Sequence, residues 1–224
     1  TRTGYNFTGW NTSAYGYGVS YDPGETYTGN AELTLYAQWT PSSYTITFDG
    51  NGATGGSTAS MSMQYNETKV LTPNGFYKTG HTFKNWNTMA SGNGTSYADR
   101  QSVKNLAASG SGTMTLYAQW TPDTYKVHYD SNGGTGAPGD QTKTYGVDLT
   151  LSSTKPTRDG YNFSSWNTKA DGSGTTYASG ALYTTNAALT LYAQWKINTY
   201  TVTYNANGGA GAPGSQTKTY GIDL

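Results

Sequence analysis

The sequence predicts a mainly β protein, a small α+β fold at most, strung out as tandem modules of about four strands and at most one short helix each. Three observations lead there. Three motifs recur in a fixed order along all 224 residues, period-2 alternation fills the stretches between glycine-rich turns, and aromatic rings replace the usual aliphatic core. Leu, Ile, Val and Phe together number 25, against 21 Tyr and 6 Trp. Such large, stiff rings build small cores with few torsions to freeze. The 30 Gly disfavour long helices and suit tight turns.

The repeat is read from its landmarks. Leu35-Tyr-Ala-Gln-Trp39 returns as Leu116 to Trp120 and Leu191 to Trp195, at spacings of 81 and 75 residues. Gly4-Tyr-Asn-Phe-Thr-Gly-Trp-Asn-Thr12 returns as Gly80 to Thr88 and Gly160 to Thr168, and Tyr44-Thr-Ile-Thr-Phe48 as Tyr125 to Tyr129 and Tyr200 to Tyr204. The expected organisation is the C-terminal half of a repeat over 1–40, complete repeats over 41–120 and 121–195, and the N-terminal half of a repeat over 196–224. A unit of this length holds its own core, so beads are expected in place of a solenoid. Short joints at Thr40-Pro41, Thr121-Pro122 and Lys196-Ile197 leave little slack between beads.

Within the repeat at 121–195 the first strand alternates Tyr125, Val127 and Tyr129 on one face and ends in the turn signal Asp130-Ser-Asn-Gly-Gly134. Gln141 to Gly146 reads as the second strand. Met61, Met63 and Tyr65 occupy the positions of Gln141, Lys143 and Tyr145, so the Lys143 stem is expected to cover apolar surface while its amine reaches water. Gly160 to Trp166 is the third strand, with Trp166 and its counterpart Trp86 expected in the core. The double-glycine turn Asn167 to Gly174 follows. Asp22-Pro-Gly-Glu25 has the form of a capping box and predicts a short helical turn, as does Asp99 to Val103. Leu189, Leu191, Ala193 and Trp195 form the inward face of the fourth strand, with Tyr192 and Gln194 outward.

Taken together, the Tyr-Thr-Val-Thr-Tyr strand with its Asn-Gly-Gly turn, Gly-Tyr-x-Phe-x-x-Trp and Leu-Tyr-Ala-Gln-Trp resemble the Listeria/Bacteroides repeat family, the B-repeat modules of internalin-type bacterial surface proteins. The resemblance covers the whole chain. It implies compact β-grasp-like, ubiquitin-like modules used in tandem as a stalk. Gly50-Asn-Gly-Ala53 departs from the Asn-Gly-Gly turn, and Asn85 and Ser165 stand where another copy has Gly9.

Composition excludes several function classes. Thirteen basic and 13 acidic residues balance to zero formal charge, which argues against a nucleic-acid surface. Cysteine is absent, removing thiol chemistry and disulfides, and no apolar run is long enough for a membrane span. His81 and His128 align with Tyr161 and Thr203, so no polar constellation recurs between repeats, and an enzyme is not expected. Catalytic, cofactor and metal sites are expected to be none; Asp130-x-Asn132 lacks the further ligands of a calcium loop. A Lys143-to-Asn isopeptide bond would need a buried carboxylate beside it, and Met63 fills the lysine position in the neighbouring repeat.

Remaining are the aromatics. Tyr36, Tyr117 and Tyr192 face away from the core leucines, and Trp39, Trp120 and Trp195 end each fourth strand, so these six are the candidate inter-module or ligand contacts. The expected function is a structural stalk or extracellular fibre segment of a bacterial surface or secreted adhesin-like protein, acting as a semi-rigid spacer. The alternative is an aromatic-rich module that grips cell-wall glycan or a host or protein partner. Expected partners are neighbouring repeats or head-to-tail copies of the chain. The chain stops seven positions, the equivalents of Thr150 to Pro156, short of the phase at which it starts, which suggests a window from a longer repetitive protein.

Overall fold

The computed structural model describes residues 1–107 and 112–224. The chain divides into two compact units, Thr1–Thr121 and Pro122–Leu224. By the sequence landmarks, each contains one of the expected complete repeats and one of the expected half-repeats.

In the second unit the complete repeat is a five-stranded sheet in the order Gln141–Thr144, Thr124–Asp130, Leu189–Ile197, Tyr161–Asn167, Thr176–Tyr177. The first and fourth strands run parallel at its centre, Val127 opposite Leu189 and Tyr129 opposite Leu191, and all other pairings are antiparallel. The first unit repeats the order with Met61–Gln64, Ser43–Asp49, Gly112–Pro122, His81–Asn87 and Ser96–Tyr97. Period-2 alternation here places Val127, Tyr129, Leu191 and Ala193 in the core, as it does Tyr44, Ile46, Leu116 and Ala118 in the other repeat.

Strict alternation would put Phe163 and Trp166, three residues apart, on opposite faces. A bulge between Phe163 and Ser165 resolves this by adding one residue to the third strand, and the two rings meet edge to face at 5.1 Å. Trp166 is wholly buried, with Tyr129 at 5.0 Å on another side. Trp86 is buried in the same way, against Phe83 and Phe48. The turn after each third strand is organised by a buried asparagine. Asn167 Nδ2 donates to Gly172 O, Gly174 O and Thr176 Oγ1, and its Oδ1 accepts from the amides of Lys169 and Gly174. Asn11 and Asn87 make the equivalent five bonds. A Cβ on Gly174 would come within 2.2 Å of Thr168 Oγ1, so glycine is required there.

Two expectations need correction. No helix forms among the described residues. At Asp22 only half of the capping box forms, Asp22 N–H donating to Glu25 Oε2; Glu25 N–H goes to the Asp22 backbone carbonyl and closes a single turn, because the chain continues into Thr- and Gly-rich sequence with no apolar helical stripe to bury. Asp99, taken as a second cap, instead accepts the amide of Asn74. Short two-stranded ribbons stand where the helix was expected: Leu149–Thr150 with Leu182–Tyr183, and Thr68–Val70 with Ser102–Lys104. They bring Leu151, Tyr183, Leu71 and Val103 into the cores.

The second correction is Lys143, which is wholly buried, amine included. Its Nζ donates to Thr144 O at 3.0 Å and Asn186 Oδ1 at 2.9 Å, which supply inside the protein what water would have supplied outside. No carboxylate is among the partners of either side chain, so the pair is a hydrogen-bonded tether.

The half-repeats carry parts of the same sheet. Residues 1–41 form Tyr5–Asn11 flanked by Ser20–Tyr21 and Tyr36–Pro41, and the C-terminal half forms a hairpin of Thr199–Val202 with Gln216–Thr219.

Candidate functional site

Chemistry-bearing clusters are sparse: no group of three or more His, Asp or Glu that could hold a metal lies among the described residues. Recurrent geometry is found instead where one repeat passes into the next.

The fourth strand of the N-terminal half ends at Pro41 and the first strand of the following repeat begins at Ser43, leaving a single residue between them. Both backbone groups of that residue are engaged. Ser42 N–H donates to Gly4 O of the preceding repeat at 2.9 Å, and Ser42 O accepts Tyr65 N–H of the following repeat at 2.9 Å. Inside the second unit the pattern returns at the Ile197–Thr199 joint: Asn198 N–H donates to Gly160 O at 2.9 Å, and Asn198 O accepts Tyr220 N–H at 3.0 Å. Ser42 and Asn198 are thus two-sided clamps. A segment whose only non-strand residue is fixed at both ends has no free torsion to act as a hinge.

Side chains reinforce the clamp. The Tyr65 ring lies directly over Gly4, where a Cβ would approach Cγ to 2.2 Å, and the Tyr220 ring lies over Gly160, at 2.1 Å from Cδ1. Both glycines also sit at positive φ, 75° and 73°, so two independent demands select glycine. Tyr5 meets Tyr65 edge to face at 5.6 Å and Tyr161 meets Tyr220 at 6.4 Å, with Arg2 and Arg158 stacked on Tyr5 and Tyr161. The polar finish differs between joints: Asn66 Nδ2 donates to Tyr5 Oη at 2.7 Å, whereas Tyr220 Oη donates to Asp159 Oδ2 at 2.5 Å. That bond to the carboxylate raises the Tyr220 pKa above its usual value.

The six residues singled out by sequence lie elsewhere. Trp120 Nε1 donates to Gly50 O, and Trp195 Nε1 to Ser131 O and Asn132 O, so both rings close the first turn of their own repeat. Their position in place of the joint follows from topology, because the end of the fourth strand lies beside the strand–turn segment at Asp130 to Gly134. A Cβ on Gly134 would meet the Trp195 ring at 2.4 Å. Trp39 packs on Phe7 at 5.4 Å. Tyr36 is exposed and Tyr117 and Tyr192 half-buried on the outer face; Tyr192 borders a shallow groove with Thr168, Lys169, Ala170 and Asp171. The joint residues carried a readable signal, the recurrence of Gly4, Gly80 and Gly160 and of Tyr65, Tyr145 and Tyr220, but nothing in one dimension pairs these two series.

The model of the Listeria-Bacteroides repeat domain matches residues 1–38, 44–119 and 125–194. The chain belongs to this family. Among relatives of this Listeria-Bacteroides repeat chain, one named as a Gly-rich membrane protein of Evansella cellulosilytica is 34% identical over 222 residues, covering 94% of this chain and 24% of the relative. A second Evansella protein, named as a membrane protein, is 32% identical over 209 residues, 88% of this chain and 28% of its own length. Internalin H of Listeria monocytogenes is 36% identical over 121 residues, 54% of this chain and 20% of its own. The chain therefore spans less than a third of each. The joint residues Ser42 and Asn198 fall outside the matched segments. No helix among the described residues is long and apolar enough to cross a membrane.

Proposed function

We propose that the chain is a semi-rigid spacer, a run of stalk modules in a larger bacterial surface or secreted protein. The observation that carries this reading is the clamp at Ser42, reproduced at Asn198: a module joint held by backbone bonds on both sides and by a tyrosine over a glycine transmits orientation from one repeat to the next. The central parallel pair flanked by antiparallel strands is the strand arrangement of a β-grasp sheet, here without its helix, which supports the β-grasp-like description. The names of the relatives, two membrane proteins and an internalin, support a place at the cell envelope or outside it. The recurring features are structural ones, turn hubs, core tryptophans and joints, which supports a role without catalysis.

The test is backbone ¹⁵N relaxation on the full chain. The hairpin at 199–219 should tumble with 121–195, and Tyr220→Ala should release it while leaving the repeat folded. A hairpin that already moves independently in the parent chain overturns the spacer reading. Glycan capture is a separate outcome: retention on immobilised peptidoglycan, lost on Tyr36, Tyr117 and Tyr192 to Ala, would favour a binding module.

A further inference from the structure

Beside the third strand of the repeat 121–195 lies an open hollow where cations and aromatic rings meet. Its principal walls are Lys155, Arg158, Tyr161, Phe163 and Trp195. Strand pairing builds it: Phe163 stands opposite Trp195 and Tyr161 opposite Ile197, so Tyr161, Phe163 and Trp195 share one face of the sheet near its end. Phe163 and Trp195 meet at 6.0 Å with their planes at 84°, forming a corner. The corner is fixed in place, because Trp195 Nε1 is tied to Ser131 O and Asn132 O.

Over Tyr161 lies the Arg158 guanidinium, 4.1 Å from the ring centroid. Stacking uses one face of the guanidinium and leaves its N–H edge free; among the described residues that edge has no hydrogen-bond or ion-pair partner. Lys155 is exposed and likewise makes no ion pair among the described residues. No acidic side chain among the described residues lines the hollow. The carboxylates nearest in sequence to its walls are turned elsewhere, Asp159 to Tyr220 Oη and Asp130 to the Asn132 amide. Two positive groups therefore face an aromatic corner without a counter-charge of their own. A complete following repeat does not fill such a hollow: ahead of the repeat 41–120, Arg2, Tyr5, Phe7 and Trp39 line the equivalent surface, with Arg2 at 4.0 Å over Tyr5. In the repeat 41–120 itself Gly75, Lys78 and His81 stand at the positions of Lys155, Arg158 and Tyr161, so the guanidinium and the phenol ring are both replaced there.

We infer that this hollow binds a uronate unit of an acidic polysaccharide. The carboxylate takes the Arg158 N–H edge and the Lys155 ammonium, and the pyranose face lies on the Phe163–Trp195 corner. Two features select this class. A uronate carries its carboxylate on the sugar ring itself, so charge and an apolar face arrive together, as the hollow presents them, whereas a polyol phosphate chain brings charge without a ring to stack. A single-stranded nucleic acid would bring both, but a chain of zero formal charge supplies no basic field to hold a polyphosphate backbone. This inference does not rest on the spacer reading: stiffness lies in the backbone clamp and binding in side chains beside it, and either can fail alone.

The experiment titrates the ¹⁵N-labelled full chain with oligogalacturonate and reads the Trp195 indole N–H and the Arg158 Nε–H. Both resonances should shift to saturation, and the methyl ester of the same oligosaccharide should leave them in place. Arg158→Gln should weaken binding about 10- to 100-fold, because it removes a charged two-pronged donor. Arg158→Lys keeps the charge without the fork and should recover only part of that loss. Lys155→Gln, on an exposed side chain outside the strands, should weaken binding by a smaller factor and keeps the test decisive if Arg158→Gln lowers the melting temperature. Absence of shifts, or binding unchanged in both glutamine variants, overturns the inference. Equal shifts with the methyl ester, with a polyol phosphate wall polymer or with a single-stranded oligonucleotide overturn it as well, since the site would then read neither the carboxylate nor the sugar that carries it.

Discussion

Replacing Trp166 by alanine tests the packing scheme most directly, because the same motif supplies its own control. Trp166 and Trp86 are fully buried, while Trp10, in the same sequence context, is 39% exposed. A tryptophan buries roughly 150–250 Å², which at about 25 cal/mol per Å² corresponds to about 4–6 kcal/mol, and the methyl left by alanine brings the expected loss to about 3–5 kcal/mol. The Trp166 indole N–H has no hydrogen-bond partner and is already an uncompensated donor, which places the loss toward the low end of that range. Scaling by exposure gives about 2–3 kcal/mol at Trp10, confined to the N-terminal half. Because a chain of several modules need not unfold in one step, a global melting curve is the wrong readout. Hydrogen-exchange mass spectrometry resolves each module: Trp166→Ala should lower protection of peptides from 161–167 and 189–197 by about 10²- to 10⁴-fold and leave those from 41–107 unchanged. Equal protection in Trp166→Ala and the parent would refute the assignment of this ring to the core. Loss spread evenly over both repeats would refute the separateness of their cores.

Three further outcomes follow from particular contacts. Asn167→Ala strands two amides, two carbonyls and a hydroxyl around the turn, so the repeat at 121–195 should lose about 2–4 kcal/mol by the same exchange measurement; Asn167→Asp should be nearly as damaging, since a carboxylate cannot make the three donations. Lys143→Met copies Met63 of the sister repeat and should be neutral or stabilising in urea unfolding, because Asn186 Oδ1 keeps the Gly146 amide, whereas Lys143→Ala should cost about 2 kcal/mol or more through the cavity. The joint at Asn198 should loosen in alkali. The pKa of Tyr220 is raised in the folded chain above the ordinary 10.0, so its contribution is complete below pH 10 and is lost as pH rises through the folded value. Relaxation of the 199–219 hairpin across pH 8 to 11 should show the change, and Tyr220→Phe should abolish the pH dependence.

How much of this was legible in one dimension depends on the kind of information each element carries. The four principal strands were readable because each is local: alternation at Tyr125, Val127 and Tyr129 fixes a face wherever the strand goes in space. The asparagine hub was half readable, since Asn167 and its two turn glycines recur, but five bonds converging on one side chain require the turn to be folded. The two-stranded ribbons were missed because Leu149–Thr150 and Leu182–Tyr183 are too short to show a period, and their pairing joins residues more than 30 apart. Lys143 was misplaced for a related reason. Its burial depends on Asn186, 43 residues away in sequence, presenting an oxygen at the point where the amine would otherwise need water.

The joint shows the same limit in its sharpest form and also what overcomes it. Gly4 and Tyr65 are 61 residues apart, and their equivalents Gly160 and Tyr220 are 60 apart; neither series announces a partner. Repetition supplies the missing argument. A glycine retained at one phase of the repeat and a tyrosine retained at another, each without an obvious role inside its own module, are the marks of a contact made between modules, because a residue with nothing to do at home is held by its neighbour. Of the tryptophans nearest the joint in sequence, Trp120 and Trp195 have work at home on the first turn, and Trp39 packs on Phe7. At the Ser42 and Asn198 joints the aromatics in contact are Tyr65 on Tyr5 and Tyr220 on Tyr161, and it is the absence of a domestic role, more than proximity in sequence, that points to Tyr65 and Tyr220.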